Sequence, residues 1–202
     1  LNRNGAPDLL LVHGQGQKDI LNELLGWPQN KTKLIQSLRF RENIKTKISN
    51  KIFIPYGLFN YDILLLEFEK FLNKTENNLL PHFEISNHRA KMNSKDHIDF
   101  ITKLKKIIKK SENKFSQKSK KRNLSLCFGW TAAIIEILER GCEVIHICSD
   151  PKLDAFNEKI WKNLNVKRIS DFTFEYQLLS NGSYIDFGKN KDLLNQVLEE
   201  IK

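Results

Sequence analysis

Residues 127–148, CFGWTAAIIEILERGCEVIHIC, constrain this fold more than any other stretch of the chain. The apolar run 124–128 breaks at Gly129-Trp130-Thr131. Apolar residues at helical spacing follow, Gly141 ends them, and a second run, 144–148, is apolar around one histidine. Strand, tight turn, helix and strand in that order predict a βαβ unit. Two parallel strands need such a crossover, which is right-handed in nearly all cases.

The rest of the chain repeats the alternation. Residues 7–17, PDLLLVHGQGQ, predict a buried strand and a Gly-rich loop, and 18–27 a short helix closed by Gly26. A strand is expected over 32–40, then a polar linker over 41–50. Strands at 51–57 and 81–89 flank an amphipathic helix at 61–74. The segment 94–110 predicts a helix behind Ser94, with a stripe of Ile98, Ile101, Leu104, Ile107 and Ile108. A turn into a helix over 149–161, short strands over 166–178 and a final helix over 191–201 complete the reading. The fold class is α/β, a doubly wound parallel sheet. The polar stretch puts a boundary after residue 45, leaving 46–202 as one Rossmann-like domain.

The net charge is +9, and the segment 103–122, with ten Lys or Arg and one Glu, equals the whole excess. Such a block attracts polyanions or an anionic membrane surface. Equally, it is a solvated helix face in a Lys-rich chain. Only Phe115 interrupts it, and no nucleic-acid docking motif accompanies it. Cys127, Cys142 and Cys148 match no zinc spacing and read as buried thiols in a reducing, cytoplasmic setting. No Asp-x-Asp motif occurs, so no obligatory metal is expected.

In an open parallel sheet, ligands bind beyond the C-terminal ends of the strands. There, Gly129 permits a tight turn, and the first amides of the following helix favour a phosphate. Thr131 can cap that helix and offer a hydroxyl. Glu136, five residues on, repels phosphate at close range but suits a pair of sugar hydroxyls. The alternative is a capped helix with a solvent-facing Glu. Trp130 either stacks on a base or covers the pocket mouth. Asp150 either touches ligand or caps a turn. His82 and His146 read as structural, and His97 as a surface residue.

The segment FGWTAAIIEILERGCEVIHI resembles the donor-binding signature of glycosyltransferases of the GT-B fold, of the bacterial surface-polysaccharide type. The resemblance implies that Thr131 and Ala132 meet the phosphate and Glu136 holds the ribose, with Gly129 and Trp130 in the same donor site. FEISNHRAKMNSKDHIDFI resembles that family's strand ending in a His-Pro pair, with His88 on the His and Arg89 in place of the Pro. HGQGQKDILNELLGWPQNKTKLIQSLRF resembles the end of the acceptor-side domain. Residues 1–45 then close that domain, most of which is missing, and 46–202 form the nucleotide-sugar-binding half. The implied reaction transfers a sugar from a nucleotide donor, a substrate rather than a cofactor, to a carbohydrate or lipid-linked acceptor. His88, Arg89 or Arg39 supplies a cation for the departing phosphate, and His13 is the local candidate for a base. The expected setting is cytoplasmic, with 103–122 touching the inner membrane face.

Two other classes compete. LLLVHGQGQ resembles the strand and loop beside the oxyanion hole of α/β-hydrolases, but no Gly-x-Ser-x-Gly elbow exists and Ser125 falls inside a strand. A non-catalytic α/β domain binding polyanions or nucleotides is the other alternative.

Overall fold

The computed structural model describes residues 7–37, 40, 49–55, 57–87, 94–116, 123–187 and 193–201. It divides into two compact units. The first comprises Leu1–Lys47, Asn157–Leu164 and Leu178–Lys202, the second Ile48–Phe156 and Asn165–Gln177. The sequence reading has one cut, at 45/46. The contacts cut at 47/48 and bring the chain back to the first unit twice.

In the first unit, β1 (Leu10–Val12) pairs in parallel with β2 (Thr32–Leu34). Between them, α1 (Gln15–Asp19) runs into a π-helical turn, Ile20–Leu24, and Gly26 closes the segment at φ 68°. The helix thus starts three residues earlier than its periodicity predicts. The returning segment is bound through backbone: Gly16 N–H donates to Ser183 O at 2.6 Å and Ser37 N–H to Asp186 O at 2.7 Å. A C-terminal helix spans Leu193–Ile201.

The second unit is a six-stranded, mostly parallel α/β sheet flanked by helices. Its elements are β3 (Lys51–Ile54), α2 (Tyr61–Lys74), β4 (Leu80–Pro81), β5 (Glu84–Asn87), α3 (Lys95–Lys110), β6 (Phe115–Ser116), β7 (Leu124–Phe128), α4 (Ala133–Glu139), β8 (Glu143–Ile147), α5 (Pro151–Asp154), β9 (Leu164–Arg168) and β10 (Thr173–Leu178). The strand order is β5-β3-β7-β8-β10-β9, and β4 and β6 form a separate short pair. β5, β3, β7 and β8 run parallel, while β10 is antiparallel to β8.

Alternation along β7 divides its side chains between two layers. Leu124, Leu126 and Phe128 join the core formed with α2 and α3. Phe128 takes the edges of Phe100 and Phe68, with centroids 5.4 Å and 5.8 Å away. Ser125 and Cys127 face the other side, where Ile134, Ile137 and Leu138 of α4 are buried.

Two expectations need correction. The apolar stripe of α3 is centred on His97, Phe100 and Leu104, all buried, while Ile98 is exposed. Phe100 decides this rotation, since its ring packs on both Phe128 and Tyr61. His97 is therefore a core residue, not a surface one. The helix expected over 149–161 lasts only from Pro151 to Asp154. The Asp154 carboxylate folds back to accept from the amides of Ser149 and Asp150, and Phe156 N–H is taken by the Tyr176 hydroxyl. Asp150 caps α5, accepting from Lys152 N–H at 3.0 Å.

Candidate functional site

Among the parallel strands the order reverses direction between β3 and β7. From β3 the chain goes to β5 on one side, and from β7 it goes to β8 on the other. Phe53 and Cys127 are partners in register, so β3 and β7 end side by side. Such a reversal leaves a crevice beyond the strand ends, where ligands of open α/β sheets bind. The turn Gly129-Trp130-Thr131 leaves β7 at that point, and a segment of which Pro55 and 57–60 are described leaves β3.

The two loops are fitted to each other. Gly129 has φ 57°, a left-handed backbone that favours glycine. A Cβ there would lie 3.0 Å from Leu58 Cδ1 and 3.8 Å from Pro55 Cγ. Leu58 is buried, whereas its neighbour Phe59 and Trp130 of the facing loop are 73% and 67% exposed. The sequence reading missed the β3 loop, although Pro55 and Gly57 at the end of an apolar run mark it.

The Gly129 turn is held from below. Gly129 N–H donates to Ile147 O at 2.8 Å. His146 Nε2 lies 2.8 Å from Gly129 O, and its Nδ1 lies 3.2 Å from the Tyr176 hydroxyl. A carbonyl only accepts, so Nε2 carries the hydrogen and Nδ1 accepts from Tyr176. The Tyr176 oxygen in turn accepts from Phe156 N–H at 3.0 Å. Burial lowers His146 to a pKa of about 4 and raises the Tyr176 hydroxyl, so both are neutral. His146 is structural, as its alternation with apolar residues predicts, and what it supports is the candidate site.

Beyond the turn, Ala132 is exposed and Thr131 half-buried. Helix α4 begins at Ala133, one turn of chain after Gly129. Thr131 receives its first amides: the hydroxyl accepts from Ala133 N–H at 3.3 Å and the carbonyl from Ile134 N–H at 3.2 Å. The N-cap of α4 is Ala132, which makes no side-chain cap bond, so Thr131 lies one residue before the cap position expected for it. Glu136 is not solvent-facing. Its carboxylate is mostly buried and accepts from Arg140 Nε at 3.1 Å, one turn along α4. The sequence reading did not single out Arg140, though a Glu followed by Arg at i+4 is a legible pair.

His13 belongs to the first unit, in the loop after β1. Its backbone is fixed on both sides, by Gln17 Oε1 accepting from its N–H and by Asp186 N–H donating to its carbonyl. Its Nδ1 lies 3.2 Å from Gln36 O and donates to it. The glycines of this loop serve close packing. A Cβ on Gly14 would sit 2.4 Å from Ser183 O, and one on Gly16 would sit 2.6 Å from the Tyr184 ring. Nothing in that arrangement builds an oxyanion hole. Ser125 is fully buried in β7, its hydroxyl 3.4 Å from Lys51 N.

Arg39, His88 and Arg89 lie outside the described residues, as do 117–122 of the basic segment. β5 ends at Asn87, next in sequence to His88 and beside β3 in the sheet. Cys127, Cys142 and Cys148 are free and buried, and burial raises all three thiols. Among the described residues there is no cluster of potential metal ligands, and no helix is long and apolar enough to cross a membrane. Comparison of the chain with protein-family models, with curated proteins and with solved structures finds no match.

Proposed function

We propose that the second unit is the donor-binding half of a GT-B glycosyltransferase, Rossmann-like in topology, which holds a nucleotide-activated sugar beside Gly129. The observation that carries this reading is the coincidence of three features at one place. The reversal of strand order, the left-handed Gly129 turn and the start of α4 all meet where β3 and β7 end. The motif that resembles the donor signature falls on that spot.

In this reading the amides of Trp130, Thr131 and Ala132 meet the donor phosphate, before α4 closes its first intrahelical bond. Glu136 accepts from the ribose hydroxyls with the carboxylate that Arg140 orients. Trp130 and Phe59 offer exposed ring faces to the base. Departing phosphate needs positive charge, for which His88, Arg89 and Arg39 are the candidates. A base must take the acceptor's proton. His13 of the first unit, whose Nδ1 donates to Gln36 O, is the candidate for that role. The acceptor is a surface glycan, free or lipid-linked.

Calorimetry against uridine, cytidine and guanosine nucleotides tests the reading. One base class should bind, and Glu136→Ala should weaken it roughly ten- to a hundredfold through loss of charge-assisted bonds. Neutralising Lys105, Lys106 and Lys109 should leave affinity unchanged. Failure of every nucleotide, or an unaltered affinity in Glu136→Ala, overturns the assignment. Nucleotide binding without transfer to any glycan would instead support a non-catalytic nucleotide-binding domain.

A further inference from the structure

We infer that the sheet edge formed by β5 and α3 carries a docking groove for anionic phospholipid at a membrane surface. The groove measures about 510 Å³. Phe83, Ile85 and Ile108 line its floor, and Lys105, Lys109 and Glu112 its rim. Positions 105, 108 and 109 fall on one face of α3, which sets two ammonium groups beside an apolar floor. Among the described residues β5 is the edge strand, and none of their other strands pairs with its outer side.

Charge and shape together favour a lipid. Lys103 and Lys110 of the same helix are engaged, with Asp99 at 2.8 Å and Glu69 at 3.0 Å. Among the described residues no ion pair engages Lys105 or Lys109. A lysine can lay its stem along apolar surface and hold its head at a phosphate. Glu112 opposes this, leaving the lining one positive charge in excess. The wider field comes from the sequence of 103–122, with ten basic residues to one acidic. Nucleic acid fits less well. It requires aromatic faces free to stack, but Phe83 is half-buried and set edge-on to Phe115 at 6.2 Å. This inference stands apart from the donor site and survives its failure.

Co-sedimentation with phosphatidylcholine vesicles, with and without phosphatidylglycerol, is the test. Protein should pellet only with the anionic vesicles. Lys105→Gln with Lys109→Gln should cut partitioning roughly thirtyfold, since each lysine at the surface contributes measurably. Lys74→Gln with Lys152→Gln removes the same charge from residues that do not line the groove and should change it by less than about threefold. All four lysines are exposed, so unfolding midpoints should be unaltered in both pairs. Equal loss in the two pairs, or no pelleting with anionic vesicles, overturns the groove. So does an oligonucleotide that binds as tightly and is lost with the same groove pair.

Discussion

His146 Nε2 lies 2.8 Å from Gly129 O, so a side chain from the middle of β8 fixes the turn at the end of β7. The hydrogen bond runs from β8 to the turn that leaves the adjacent parallel strand β7. It makes the geometry of an exposed loop depend on a fully buried ring. The link runs on through Tyr176 to the amide of Phe156, so the loop after β8 is tied to the same turn.

Acid should loosen this arrangement. His146 titrates near 6.5 in the unfolded chain and near 4 in the fold, because burial disfavours the imidazolium. Between those values the unfolded chain binds more protons. The contribution is therefore complete above pH 6.5 and declines as pH falls towards 4, by at most about 3 kcal/mol. Urea unfolding of wild type and His146→Gln at several pH values measures it. The variant should lose the part of the acid slope that belongs to this ring. Parallel slopes in the two proteins would show that His146 is not buried neutral.

Gly129→Ala isolates the turn. An L-residue held at this φ costs about 1–2 kcal/mol. The added Cβ presses on the tip of Leu58, a flexible side chain that can shift. Stability should drop by about that amount and no more. Nucleotide affinity should fall further than stability suggests if, as proposed, the turn presents its amides to the phosphate. Wild-type affinity in Gly129→Ala would separate the turn from the proposed donor site.

Gly14→Ala should be far more damaging than Gly182→Ala. At Gly14 the backbone is extended, so conformation is no obstacle. The new methyl would meet Ser183 O at 2.4 Å and Tyr184 C at 2.5 Å, and backbone cannot yield as a side chain does. At Gly182 no atom lies within 4 Å and only the φ of 94° resists. Expected losses are more than about 3 kcal/mol for the first and about 1 kcal/mol for the second. Limited proteolysis of the first unit, followed by denaturant unfolding, ranks them.

The alternation of strands and helices was legible in the sequence because buried parallel strands and amphipathic helices differ in period. That placed α2 to the residue and β7, α4 and β8 nearly so. Rotation of α3 was not legible. Ile98, Ile101, Ile107 and Ile108 outnumber Phe100, but a large ring packed between Tyr61 and Phe128 outweighs them. The end of α5 was hidden too, because Phe156 N–H bonds to a tyrosine twenty residues away. The antiparallel β10 could not be told from a parallel strand by composition. At the candidate site the Gly-Trp-Thr turn and Glu136 could be read locally. The β3 loop is marked locally by Pro55 and Gly57, whereas its fit against Gly129, the His146 support and the strand reversal are non-local and are not written in any one stretch.

Tyr176→Phe tests whether the support reaches the loop after β8. The substitution keeps the ring, which stacks on Phe174 with centroids 6.3 Å apart, and deletes only the hydroxyl. The buried His146 Nδ1 and the half-buried Phe156 N–H each lose a partner. The cost should be about 1–3 kcal/mol. Combined with His146→Gln it should be less than additive, because the groups share one chain of bonds. Additive losses in a double-mutant cycle would mean that Tyr176 and His146 act separately. Nucleotide affinity supplies the independent readout. If the chain positions Gly129, Tyr176→Phe weakens binding although its hydroxyl lies behind the strand, and the loss should vanish in a His146→Gln background.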